Sequence, residues 1–69
     1  MQYLDTVALM TDLPQEGLVR GQVGTIVEVL EPGVFEVEFA DLEGRTYGFA
    51  AVPESSLLLL KHELAEKAA

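Results

Sequence analysis

The chain has 69 residues, with no cysteine and no tryptophan, a single histidine, and only four Lys or Arg against twelve Asp or Glu. Without cysteine there is no disulfide framework, no thiolate metal cluster and no cysteine nucleophile. No uninterrupted apolar run exceeds four residues, Leu57–Leu60 being one, whereas a membrane-spanning helix needs about 20. The opening MQYLDTVALM lacks a basic start and Asp5 interrupts its apolar residues, so it does not read as a signal peptide. The expectation is a soluble, cytoplasmic chain with no membrane partner.

The shortage of bases shapes the charge. The formal net charge is −8, and Lys61 and Lys67 cancel Glu63 and Glu66, so residues 1–60 carry all of it with Arg20 and Arg45 as their only bases. Such a field repels phosphate backbones and anionic membranes, which argues against nucleic-acid binding. A well-solvated acidic protein and an acidic binding face both fit this balance. An apolar fraction of 49% is too high for a disordered chain. A single small domain follows, burying only about 60% of the surface its unfolded form exposes.

The pattern is that of short strands. Tyr3–Thr11 alternates as a strand with Val7 and Leu9 as core contributors. Asp12–Gly17 breaks the alternation at Pro14 and Gly17 and reads as a loop, with Asp12 or Glu16 bonding local backbone N–H groups. Leu18-Val19 tucks that loop onto the core, and Gly21 and Gly24 serve bends or a bulge. Thr25–Leu30 and Val34–Phe39 flank Glu31-Pro32-Gly33 as a hairpin. Neither face of the first hairpin strand is purely polar, which suggests cover on both sides along part of its length. The second strand turns Phe35, Val37 and Phe39 one way and Val34, Glu36 and Glu38 the other. Asp41–Gly44 is a second turn, with an Asp41–Arg45 ion pair, leading into Arg45–Ala50. Val52–Ser56 reads as a 3₁₀ turn and Leu57–Leu60 as a closing strand. The alternative there is a continuous helix from Pro53 or Ser55, with Leu57, Leu60 and Leu64 on one face.

These elements describe an all-β chain, a small five-stranded SH3-like barrel over residues 1–60, with a 3₁₀ turn before the last strand. A short C-terminal helical tail follows over residues 61–69. Closing a barrel removes the bare edges of a small sheet.

The residues D-T-V-A-L-x-x-D-L-P-x-x-G-L-x-x-G-x-x-G-T-I-V-E-V (Asp5 to Val29) and F-E-V-E-F-x-D-x-x-G (Phe35 to Gly44) resemble a family of small uncharacterised bacterial proteins. That family is frequent in cyanobacteria and defined as a domain of unknown function. The resemblance covers roughly residues 3–60 and implies the SH3-like fold. Genes of this kind look like one half of a two-gene unit, which suggests an antitoxin-like or immunity-like partner role. Arg20, Gly21, Gly24 and Ile26 are similar to a segment in the SH3-like barrel of nitrile hydratase beta subunits. The glycine-containing hairpin resembles KOW modules, but RNA-binding members need basic side chains and this domain offers two, Arg20 and Arg45. Fold likeness carries no function over.

Catalysis needs a nucleophile, a base and a stabiliser in one concave site. His62 lies in the tail, Ser55 and Ser56 have no His–acid pairing and read as capping or turn residues, and Glu36 with Glu38 reads as a polar strand face rather than an acid–base pair. An enzyme is not expected. Asp41 and Glu43 could hold a hard cation only weakly, since neither EF-hand spacing nor a His/Cys set exists. Gly21-x-x-Gly24 lacks the Lys-Ser/Thr and the following helix of a phosphate loop. No cofactor is implied. Binding remains, through Asp12, Glu16, Glu31, Glu36, Glu38, Asp41, Glu43 and Tyr47, toward a basic protein partner whose capture opposite charge would speed. Tyr3, Tyr47 and Phe49 are aromatic candidates for a partner groove, with core packing the expected fate of Phe49. A small structural or self-associating subunit, and so a homo-oligomer, is the competing reading.

Overall fold

The computed structural model describes residues 1–60. It contains five β-strands: β1 (Thr6–Leu9), β2 (Val23–Glu31), β3 (Val34–Ala40), β4 (Thr46–Pro53) and β5 (Leu57–Leu59). Two 3₁₀ turns, Pro14–Glu16 and Glu54–Ser56, lie before β2 and β5. All strands join one antiparallel sheet in the order β4-β3-β2-β1-β5. Leu57–Leu59 is therefore strand, not the start of a helix. The helix expected over residues 61–69, with His62, Leu64 and the Glu63–Lys67 pair, lies outside the described residues.

Turn chemistry sets the hairpins. Pro32 precedes Gly33, which takes φ +80° between β2 and β3, a backbone angle glycine adopts without steric cost. At the β3–β4 turn, Asp41 N–H donates to the Arg45 carbonyl at 2.9 Å and Gly44 N–H to the Asp41 carbonyl at 3.0 Å. Gly24 has a different role from the bend or bulge expected of it. It lies inside β2, paired with Val7 and Phe39. A Cβ there would meet the Glu38 carbonyl oxygen at 2.7 Å, Val37 Cγ1 at 2.7 Å and Phe39 Cδ1 at 2.9 Å. Its missing side chain lets β2 and β3 close over the core.

The core is one face of this sheet. Val7 and Leu9 of β1, Ile26 of β2, Phe35, Val37 and Phe39 of β3, Ala50 and Val52 of β4 and Leu57 of β5 are all buried. Each fully buried side chain of this kind contributes about 1.5–3 kcal/mol. Among the described residues no α-helix or second sheet covers that face, so the sheet must curl upon itself. The β4–β5 connection requires the same. These strands occupy opposite edges yet are joined by the three residues Glu54–Ser56. A 3₁₀ turn advances only about 2 Å per residue, whereas four strand spacings of about 4.8 Å would part the edges of a flat sheet by about 19 Å.

Curling stops short of closure. No ladder joins β4 to β5 among the described residues, so the closed barrel expected from the strand count is not formed. All three residues of β5 pair with β1. The long loop after β1 finishes the enclosure instead. Leu13 and Leu18 exchange backbone hydrogen bonds of 2.8 and 3.1 Å, and Asp12 Oδ1 accepts the Arg20 N–H at 2.9 Å. This pinched loop drives Leu18 into the core at 1% exposure, against Gly48 of β4. Val19, its neighbour, stays in solvent.

The first hairpin strand is not covered on both sides. Only Gly24 and Ile26 of β2 are buried, and Val29 and Leu30 are exposed. A register shift falls between Ile26 and Glu28, and this bulge at Val27 changes which residues share a face.

Candidate functional site

The other face of the sheet carries the acids. On β3, alternation with the buried Phe35, Val37 and Phe39 turns Glu36 and Glu38 outward. Strict alternation on β2 would place Glu28 on the core side with Ile26. The bulge at Val27 instead brings Glu28 opposite Glu36, so both stand on the outer face. Glu36 is thus flanked by Glu28 on β2 and Ala51 on β4, and Glu38 by Thr25 and Phe49.

Glu38 accepts a short hydrogen bond from Thr46 Oγ1. Glu28 and Glu36 have no hydrogen-bond or ion-pair partner among the described residues. Like charges directly opposite one another destabilise a sheet, so folding alone does not explain this pair. Beside the acids runs a shallow groove of about 300 Å³, lined by Val23, Gly24, Thr25, Glu38, Ala40 and Gly44. Glu38 is its one ionisable side chain.

Phe49, expected in the core, is 52% exposed, and Tyr47 is 47% exposed. The cause is register. Phe49 pairs with the outward Glu38, leaving Ala50 and Val52 to face inward beside Val37 and Phe35. Tyr47 sits at the register shift between Phe39 and Ala40. Tyr3 is exposed ahead of β1.

The eight acidic and aromatic candidates do not converge on one spot. Glu36 and Glu38 form the centre of the outer face, with Tyr47 on its edge strand. Glu31 ends β2 at the hairpin tip. Asp12 and Glu16 belong to the long loop that covers the core on the opposite side. Glu16 accepts no local backbone bond, unlike Asp12.

Asp41 and Glu43 serve their own turn. The N–H groups of Glu43 and Arg45 donate to Asp41 Oδ1 at 2.9 Å each. Arg45 Nε donates to Asp41 Oδ2 at 3.1 Å, and Arg45 Nη2 lies 3.1 Å from Glu43 Oε1. The expected Asp41–Arg45 pair is present. The bond from the Arg45 backbone N–H, helped by that of Glu43 and by the guanidinium, holds the Asp41 carboxyl below its ordinary value of 3.8 against a smaller opposing effect of burial. Arg45 thus occupies the carboxylates considered for a cation. Among the described residues no three His, Cys, Asp or Glu side chains form a metal-ligand set, and no helix is long and apolar enough to cross a membrane.

Sequence reasoning missed Glu28 and misplaced Phe49. The signal for Glu28 was available: a strand reading Ile26-Val27-Glu28 with an acid on its apolar side calls for a bulge. No curated protein and no solved structure matches the chain. Residues 3–59 match a family described as a domain of unknown function (DUF4926), and the chain belongs to that family.

Proposed function

We propose that this chain is an SH3-like, non-catalytic module of the bacterial cytoplasm that binds a basic protein through the outer face of its sheet. The antitoxin-like or immunity-like role of a chain encoded beside its partner is the form this takes. The strand order β4-β3-β2-β1-β5, with a long loop after β1 and a 3₁₀ turn before β5, supports the SH3-like reading.

One observation carries the function. Glu28 and Glu36 stand side by side without a base among the described residues, Glu38 extends the row, and Phe49 lies exposed beside it. Of the two bases among residues 1–60, Arg45 is engaged by Asp41 and Glu43. A partner's Lys or Arg side chains would relieve the Glu28–Glu36 repulsion that the described residues leave unopposed, while the net charge of −8 steers the encounter.

The test is affinity purification of the tagged chain from its native host, with mass spectrometry and ultraviolet absorbance of the eluate, in parallel with the double variant Glu36→Lys/Glu38→Lys. A stoichiometric basic protein, retained by the native chain and lost by the variant, is expected. Retention by the variant sinks the claim that this face is the contact, and nucleic acid in the eluate overturns the charge argument. A lone oligomer favours the self-associating subunit, the reading that Leu58 and Val23 support by lying exposed on the same sheet face.

A further inference from the structure

The free edge of β4 goes further. We propose that the basic partner docks by adding an extended strand to β4, making a sixth strand of the sheet; this rests on the outer face being the basic-partner surface. Among the described residues β4 pairs only with β3, and the loop carrying Pro14–Glu16 and Leu18 reaches it beside Gly48. The Glu54 N–H donates to the Gly33 carbonyl at 2.8 Å, which marks the 33/54 position as hydrogen-bonded. Because such pairs alternate along an antiparallel ladder, Val52, Ala50 and Gly48 direct their backbone groups at β3, and Phe49 and Ala51 direct theirs away from the sheet. Neither of these outward sets has a backbone partner among the described residues.

Natural edge strands are blunted with charges, inward-pointing bases or shortness. β4 is eight residues long, Thr46 to Pro53, and contains no charged residue. Only Pro53, at its end, blocks pairing. The rival edge β5 has three residues, too few for a stable addition.

Charge selects the occupant. A second copy joined edge to edge through β4 would bring another −8 and its own Glu36 and Glu38 three strand spacings, about 14 Å, from these. A partner strand with Lys or Arg at alternate positions meets the opposite situation. Its side chains on the outer face would cross Phe49 and Ala51 toward Glu38 and Glu36, which lie two strand spacings, about 10 Å, from the added backbone. That gap is spanned by a long base and a glutamate reaching toward each other. A guanidinium or ammonium over the exposed Phe49 ring gains cation–π attraction as well. Main-chain bonds supply the docking and the alternating bases the selectivity.

The probe is a ten-residue peptide alternating lysine and valine, titrated into the full chain and followed by amide hydrogen exchange. Slowing of the Phe49 and Ala51 amides by at least tenfold is expected, with at least tenfold weaker binding by the same peptide N-methylated at every second residue. Ala51→Pro, which deletes one outward donor at a position where an edge tolerates proline, should weaken binding tenfold with the thermal unfolding midpoint kept. Absent binding overturns the proposal, as does binding with both amides unprotected, or protection of both amides in the chain alone through self-association. Glu36→Lys/Glu38→Lys separates the two readings. Binding lost in that variant, with the native amides unprotected, keeps the acidic face and removes strand addition. Unchanged affinity with protected amides removes the basic occupant and the functional reading with it.

Discussion

Glu28 of β2 stands directly opposite Glu36 of β3, and no base lies between or beside them among the described residues. The chain tolerates this repulsion inside the five-stranded sheet. Replacing one member, Glu36→Lys, turns it into attraction. Stability to urea should rise by about 0.2–1 kcal/mol, while affinity for a basic ligand falls. A variant that is both more stable and less able to bind identifies a surface kept for a partner at some cost to the fold. A fall in stability contradicts this account of the pair.

Leu18 does for the core what a closing ladder does in a barrel. Leu18→Ala should cost about 2–5 kcal/mol. A domain this small rarely has more than about 3–5 kcal/mol in hand, so circular dichroism should show a largely unfolded chain at 37 °C. Val19→Ala, one residue away and exposed, should move the midpoint little. Equal effects at the two positions would mean that the loop does not seal the core.

Gly24 offers the complementary test. A methyl group there collides with the Glu38 carbonyl and with Val37 and Phe39, and overpacking of that kind costs about 1–3 kcal/mol. Gly24→Ala should lower the urea midpoint, and in hydrogen exchange the loss should centre on the β2–β3 ladder. Unaltered stability would show that the two strands can part without penalty.

Asp41 gives the chain an acid-dependent turn. Its folded-state pKa lies below the ordinary 3.8 because the Arg45 backbone N–H, foremost, bonds the ionised carboxylate. The contribution is therefore complete above the unfolded value and is lost as pH falls through the lower folded value. Asp41→Asn should be less stable than the native chain at pH 7, and the difference should shrink below pH 3.8. Urea titrations across that range measure it, and a gap that stays constant would assign the turn's stability to other bonds.

Much of the fold was legible because β3 is unambiguous. Its Phe35, Val37 and Phe39 alternate with Val34, Glu36 and Glu38, and the observed burial follows that period. The turns at Gly33 and Gly44 were equally plain, since both glycines take positive φ. β2 was harder. Strict alternation was applied through Val27, where a bulge breaks it, so Glu28 was absent from the acidic row and both faces looked covered. Phe49 went astray for a related reason: aromatic size suggested the core, but its register opposite Glu38 decided the matter. Enclosure by the long loop rather than by a ladder depends on how far the sheet curls, which no local pattern records. The acids of Asp12, Asp41 and Glu43 were visible as charges, but their use inside the loops is set by backbone geometry.

The pairing of Val7 with Leu59 and of Leu9 with Leu57 has a consequence for the order of synthesis. Of the five described strands β1 leaves the ribosome first, yet its outer neighbour β5 follows the other four. Until Leu57–Leu59 emerge, the β2–β3–β4 meander can assemble from local contacts while β1 keeps a bare flank. Such distant pairing slows folding into the range of about milliseconds to seconds. The nascent chain therefore carries an unfinished sheet until Leu57–Leu59 have emerged to cover that flank.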